Sequence, residues 1–319
     1  LPREMDVTER HFALALGFFV LLTVLGVVLA AGYTTPLLAD LGLARPDAVA
    51  AHATLAVFGA VLTTVVGAIY QLGTMFTQTD MDRVDRLLQR AETAAYPVGV
   101  LALATGRLLG VPPLARAGGV LVVGGLVAAF VVVGRKLLEA RVPWTPMLSR
   151  YAVVVAAALA WAALTLPAWL AAPTAPDATF GAPGAAHLLA AGVVGFVVLG
   201  TLYHVVPFII WVHRYSDLLG YEPVPMIDDL YDDRLAAADF LCIGAGTGLL
   251  VAGELVGLSA ISFAVGGVLV LIGAGLFAAN LVLVIHTHSP DSVFTVLVGT
   301  RLAGSDADAG QSSPPTDTE

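Results

Sequence analysis

Residues 9–31 read ERHFALALGFFVLLTVLGVVLAA, with no Asp, Glu, Lys or Arg after Arg10. A helix needs about twenty predominantly apolar residues to cross the hydrocarbon core of a bilayer. This run meets that length, and similar runs follow at 48–74, 88–110, 114–138, 149–171, 184–212, 235–256 and 259–286. Breaks rich in Pro and Gly separate them, as at Arg45-Pro46, Pro112-Pro113, Pro143-Trp144-Thr145-Pro146 and Pro173 to Pro183. The expectation is an all-α polytopic membrane bundle of eight transmembrane helices.

Composition points the same way. Hydrophobic residues make up 58% of the 319 residues and charged residues 12%, against about 25% charged in soluble domains. Mean hydropathy is +0.88. An ordinary soluble domain is excluded, and so is a disordered chain, which needs low hydrophobicity and high charge. The net charge of −9 argues against nucleic acid, which wants a basic surface. Acidic loops with a single lysine, Lys136, suggest a halophile's cytoplasm. The single cysteine, Cys242, makes no internal disulfide or cysteine-based metal centre and reads as a small buried hydrophobe. The first run is too long for a cleavable signal and lacks a small-residue cleavage site. The stretch 304–319 is polar and acidic and is expected to be disordered.

Basic residues set the orientation. Arg3, Arg10, Arg83, Arg86, Arg90, Arg135, Lys136, Arg141, Arg150, Arg214, Arg234 and Arg301 fall on the side of the N-terminus. Only Arg45, Arg107 and Arg116 fall on the other. Both termini are therefore expected in the cytoplasm and the chain in the plasma membrane.

The chain also reads as a duplication, with repeats over 1–140 and 141–303 and a tail over 304–319. Gly59, Gly67 and Tyr70 have the spacing of Gly192, Gly200 and Tyr203. Glu92, Gly99, Gly106 and Gly110 have the intervals of Asp239, Gly246, Gly253 and Gly257. Gly118-Gly119-Val120-Leu121-Val122 returns as Gly266-Gly267-Val268-Leu269-Val270. Spans one and five match poorly. Four helices per repeat keep both halves the same way up, related by an axis along the membrane normal. Glycines at these spacings permit close helix approach, or leave room for a flat cofactor.

Seven histidines invite a ligand reading. His52 and His187 each lie about one turn into a helix that starts on the external side, so their imidazoles share a depth. Two neutral imidazoles at one level suit a six-coordinate haem iron. Below His52, Ala56, Gly59, Thr63, Gly67 and Tyr70 form a small-residue stripe that could seat a porphyrin. The plainer alternative is polar residues hydrogen-bonding a neighbouring helix. His204 lies about 25 Å deeper than His187 along the same helix, too far to share its metal. A second cofactor held by His204 with His286 or His288 competes with interfacial histidines touching water. Arg107 is read as a partner of Glu254, as a holder of haem propionates, or as a snorkelling side chain. Tyr70, Gln71 and Tyr203 could serve a quinone or anchor at the interface. The acidic loop 214–234 reads as solvated.

The stretches Ala51-His52 through Phe58-Gly59 to Gly67-Ala68-Ile69-Tyr70-Gln71, and His187 to Gly200-Thr201-Leu202-Tyr203-His204-Val205-Val206-Pro207, resemble helices of the haem-copper oxidase catalytic subunit superfamily. Nitric oxide reductases belong to that superfamily, and NnrS-type membrane haem proteins look similar to it. The resemblance covers roughly 50–76 and 184–212 by motif and the rest by architecture, two arcs of four helices where the oxidases have three. It implies a haem ligand at His52, and matches His187 only by helix and depth. The adjacent histidines of the oxidases' copper site are absent, so no copper and no oxygen- or NO-reducing dinuclear centre are expected. What the resemblance implies is a haem b protein of electron transfer or diatomic-gas handling, with quinol or respiratory-complex subunits as partners. The alternatives are a small-solute, proton or metal-ion transporter, and a non-catalytic subunit of a respiratory complex.

Overall fold

The computed structural model describes residues 5–290. Arg3, Arg301 and the expected acidic tail lie outside the described residues. Among these residues the regular structure is helical, apart from one bridge between Leu219 and Glu222.

Helix α1, Val7–Ala31, opens with a capping box in which Asp6 accepts from the Glu9 amide and Glu9 reaches back to the Asp6 amide. Leu16, Phe19, Val20, Val24 and Val27 stay exposed along it, an apolar surface suited to lipid. A short helix α2, Leu37–Asp40, leads into α3, Arg45–Thr54. That helix continues through a π-helical segment, Leu55–Val61, into α4, Leu62–Thr77. Then come α5, Arg83–Leu108, α6, Pro112–Leu138, and α7, Pro146–Ala171. A second π-helical segment, Leu188–Gly195, runs into α8, Phe196–Arg214. The last two are α9, Asp233–Val256, and α10, Ala260–His288.

Seven of these rods are long and apolar enough to cross a membrane. The sequence reading of eight spans departs from this at α5. It has 26 residues, but Arg83, Asp85, Arg86, Arg90 and Glu92 crowd its first half. The inward-facing charges are matched. Asp85 and Lys136, both buried, pair at 2.8 Å, and Arg135 Nε donates to Asp85 at 2.7 Å. An uncompensated charge at such a place would be costly.

Small residues set the helix separations. A Cβ at Gly99 of α5 would lie 2.8 Å from the Val122 nitrogen of α6. A Cβ at Gly246 of α9 would lie 2.8 Å from the Val270 nitrogen of α10. Only glycine permits backbones this close. The same spacing recurs in the glycine contacts with α1 and α7. Gly59 and Gly67 of the second rod face Phe18 and His11 of α1, whereas Gly192 and Gly200 face Ala157 and Arg150 of α7. His11 to Arg150 and Phe18 to Ala157 share one offset, so the contacts align the two helices that match poorly as sequences. The π-helical segments also start at corresponding residues, Leu55 and Leu188. In the first, the Phe58 carbonyl accepts from the Tyr96 hydroxyl at 2.6 Å and from Thr63 at 3.2 Å. A widened turn of this kind is common at functional sites.

Helix α6 runs beside α7. There Phe58 packs at 5.8 and 5.4 Å from Trp161 and Trp169, and Gly119 gives room to Trp169.

Candidate functional site

Glu92 of α5 and Asp239 of α9 are buried carboxylates at corresponding places in the glycine register. In the first half, Glu92 of α5 receives three groups. His11 Nε2 is 3.2 Å from both carboxylate oxygens. Tyr70 donates its hydroxyl at 3.2 Å, and Thr93 Oγ1 donates at 3.2 Å. His11 and Glu92 are fully buried. The other ring nitrogen, His11 Nδ1, lies 2.7 Å from the Val7 carbonyl. A carbonyl only accepts, so Nδ1 carries a proton. The contact between Nε2 and Glu92 then holds one further proton. It sits on the imidazole, giving an ion pair, or on the carboxyl, giving a neutral pair.

In the second half, Asp239 of α9 takes the place of Glu92. It accepts from the Arg150 guanidinium and from the Tyr203 hydroxyl. Arg150 also donates to the carbonyls of Ala236 and Pro146, and stacks 4.4 Å from the Tyr203 ring centroid. Asn280 Nδ2 donates to the Tyr203 oxygen at 3.1 Å, which fixes the phenol proton toward Asp239. Guanidinium keeps its proton in proteins, so Arg150 is a permanent cation beside Asp239. Tyr231, in the loop before α9, packs 5.2 Å from Tyr203 and donates to Asp228 at 3.2 Å. Burial, and then the charge of Asp228, push its phenol up, so it stays a neutral donor.

A cavity adjoins each cluster, between the first turn of the half's first helix and the early turns of its third. The first, about 370 Å³, is walled by Asp6, Arg10, Gln89, Arg90 and Thr93 among others. The second, about 180 Å³, is walled by Thr145, Ser149, Arg150, Asp233 and Phe240 among others. The registers correspond, and at the place of Thr93 stands Phe240.

The residues expected from sequence to hold a haem have different neighbours. His52 packs its Cε1 where a Cβ at Gly26 of α1 would lie 3.1 Å away, and its buried Nδ1 has no hydrogen-bond partner. His187 lies 2.8 Å from Glu254 of α9 and edge-on to Phe263 of α10 at 5.7 Å. The stripe at Gly59 and Gly67 is filled by the side chains of Phe18 and His11. Arg107 does not meet Glu254. Its guanidinium donates to Thr54 Oγ1 and to the carbonyls of Pro173, Ala178 and Thr179, so it clamps the loop after α7. Four of its five N–H groups are used in this way. Tyr70 and Tyr203 give their hydroxyls to buried acids and are not free at the interface. His204 sits 4.7 Å from Phe76 and stacks on Phe208, while His288 Nδ1 meets the Tyr215 hydroxyl. No group of three or more metal-ligating side chains occurs among the described residues.

Sequence reasoning passed over Glu92, Asp239, His11 and Arg150 as chemistry. The signal was present: the two acids occupy corresponding places in the glycine register. Their cations were hidden because the first helices of the halves align only through contacts. Comparison with protein families, with characterised proteins and with solved structures finds no match to this chain.

Proposed function

We propose that the chain crosses the plasma membrane eight times as two four-helix repeats with both termini in the cytoplasm, and that it transports or relays a small cation or proton. One observation carries the functional reading: Glu92 and Asp239 are each buried against the tyrosine of the preceding rod and a basic side chain, His11 or Arg150, from the first helix of the proposed repeat. Ionisable groups inside a membrane bundle are expensive, and in transporters they mark ion and proton pathways. Corresponding sites in paired repeats are a common arrangement in such proteins. The recurring contacts at Gly99 and Gly246, at Gly67 and Gly200, and in the two π-helical segments support the repeat. Purified protein in liposomes with trapped dyes selective for protons, sodium and potassium, challenged in turn with a gradient of each ion, tests this. The expected outcome is dissipation of at least one gradient, lost in Glu92→Gln. Tight liposomes for all three ions would overturn it.

A second reading is a haem b protein related to the haem-copper oxidases. Two observations favour it: the unpartnered Nδ1 of His52, and a carboxylate beside His187 of the kind that orients ligating imidazoles. His52 and His187 would hold the iron, which would supply one-electron chemistry. The filled stripe does not fit a porphyrin seated against Gly59 and Gly67, so the donors fit and the expected seat does not. A Soret band in detergent-purified protein, lost in His52→Ala and His187→Ala, is the outcome this reading requires. A colourless protein ends it.

A further inference from the structure

We infer that only the first half exchanges a proton, through a vestibule that delivers it from the cytoplasmic side by way of Thr93 to the pair Glu92–His11, and that Arg150–Asp239 is the locked counterpart. The inference rests on the reading of the two clusters as working sites, and names the species and the half. Three differences between corresponding residues carry it.

The first is the cation. His11 and Arg150 occupy the same place over Gly67 and Gly200. Imidazole releases a proton within reach of neutral pH, whereas guanidinium keeps its own. With Nδ1 committed to the Val7 carbonyl, the proton between Nε2 and Glu92 is the one that leaves. The second is access. Thr93 is half-buried, borders the cavity, and shares its single hydroxyl proton between the Gln89 carbonyl at 2.8 Å and Glu92 at 3.2 Å. A hydroxyl that accepts from cavity water and donates to the carboxylate passes a proton by rotating. Phe240 stands at that place in the second half, 5.4 Å from the Arg150 guanidinium, and offers no such step. The third is the tyrosine. Asn280 fixes Tyr203, while Val132 stands at the corresponding place in the first half and leaves the Tyr70 oxygen without that donor.

The groups facing the pair are few. From α1 they are His11 itself, with Asp6 and Arg10 at the vestibule. The second rod contributes Tyr70. From α5 come Thr93, Arg90 and, one turn deeper, Tyr96, whose hydroxyl is given to Phe58. On α6 the cations Arg135 and Lys136 are taken by Asp85, Asp82 and Glu139. Arg10 and Arg90 make no ion pair among the described residues. The step is a simple transfer. A proton passes from vestibule water to the carboxylate shared with His11 Nε2, and returns by the same hydroxyl.

The test uses the full-length protein in lipid nanodiscs and in liposomes. Imidazole nitrogen NMR across the pH range is expected to show one buried histidine whose titration disappears in Glu92→Gln and moves in Thr93→Val. Arg150→His is expected to add a second titrating imidazole. His11→Arg, which builds in the first half the ion pair of the second, should keep the fold and lower proton flux about a hundredfold or more, as removing an essential acid–base group does. Thr93→Phe should slow exchange at His11 while leaving its pairing with Glu92. A His11 signal indifferent to Glu92→Gln, or full flux in His11→Arg, would overturn the inference. Liposomes tight to every ion together with a His11 that titrates with Glu92 would instead defeat the transport reading and leave the proton site standing.

Discussion

The two buried acids differ in how their removal is felt. Arg150 is a permanent cation beside Asp239. Deleting one partner leaves the other uncompensated in a buried place, a cost of about 3–5 kcal/mol. Arg150→Met and Asp239→Asn should each lower stability by that amount in reversible detergent unfolding. The double variant should recover much of it, because two neutral side chains need no partner. For Glu92 the same logic gives a smaller effect. Glu92→Gln leaves His11 free to become neutral, and the glutamine oxygen still accepts from Tyr70. A double-mutant cycle on each pair checks this, with strong coupling expected between Arg150 and Asp239 and weaker coupling between His11 and Glu92. Equal coupling in the two pairs would contradict the assignment of a titratable and a permanent cation.

At the scale of elements, seven spans were legible because each needs only length and apolarity, and the ends of their helices lie within a few residues of the sequence reading. The π-helical segments at Leu55–Val61 and Leu188–Gly195 were not legible, since nothing in the residue types of either marks a widened turn. The facing of His52 was equally hidden. Depth follows from position along a helix, but direction depends on α1, which supplies Gly26 as its neighbour. Arg107 shows the same limit, because the carbonyls that it clamps belong to a loop far away in sequence. The glycine register was legible, and its energetic weight can be measured. A Cβ at Gly99 would lie 2.6 Å from Leu121 Cβ and 2.8 Å from the Val122 nitrogen. Neither neighbour can move without shifting α6, so Gly99→Ala should cost about 1–3 kcal/mol, the usual penalty of overpacking. Gly246→Ala should behave alike. Gly124, on α6 with nothing within 4 Å, is the control, and Gly124→Ala should be neutral or stabilising by about 0.5–1 kcal/mol. Thermal unfolding followed by circular dichroism distinguishes these outcomes. Equal shifts at Gly99 and Gly124 would deny that close approach is what the glycines supply.

For the whole molecule, the decisive question is whether α5 crosses. Its composition argues against crossing and its contacts argue for it. Asp85 is matched by Lys136 and Arg135, Glu92 by His11, and Arg107 by four oxygens. A helix whose inward charges are all matched by neighbouring helices does not carry them bare into lipid. The three basic residues of the minority side are likewise engaged. Arg45 donates to the Leu29 carbonyl at the end of α1, and Arg116 to the carbonyls of Leu170 and Ala171 at the end of α7. Cations there complement the negative ends of helices, so their presence does not weaken the bias of the remaining Arg and Lys toward the other face. Single cysteines placed at exposed Asp40, Asp80, Asp177 and Asp217, in a Cys242→Ser background, read the topology directly with a membrane-impermeant maleimide on intact cells. Eight crossings with a cytoplasmic N-terminus predict labelling at Asp40→Cys and Asp177→Cys, and protection until lysis at Asp80→Cys and Asp217→Cys. If α5 lay on one face, the first two probes would be unchanged but Asp177→Cys and Asp217→Cys would exchange behaviour. Every helix after α5 would then be inverted, and the Glu92 and Asp239 clusters could not lie at one level of the bilayer.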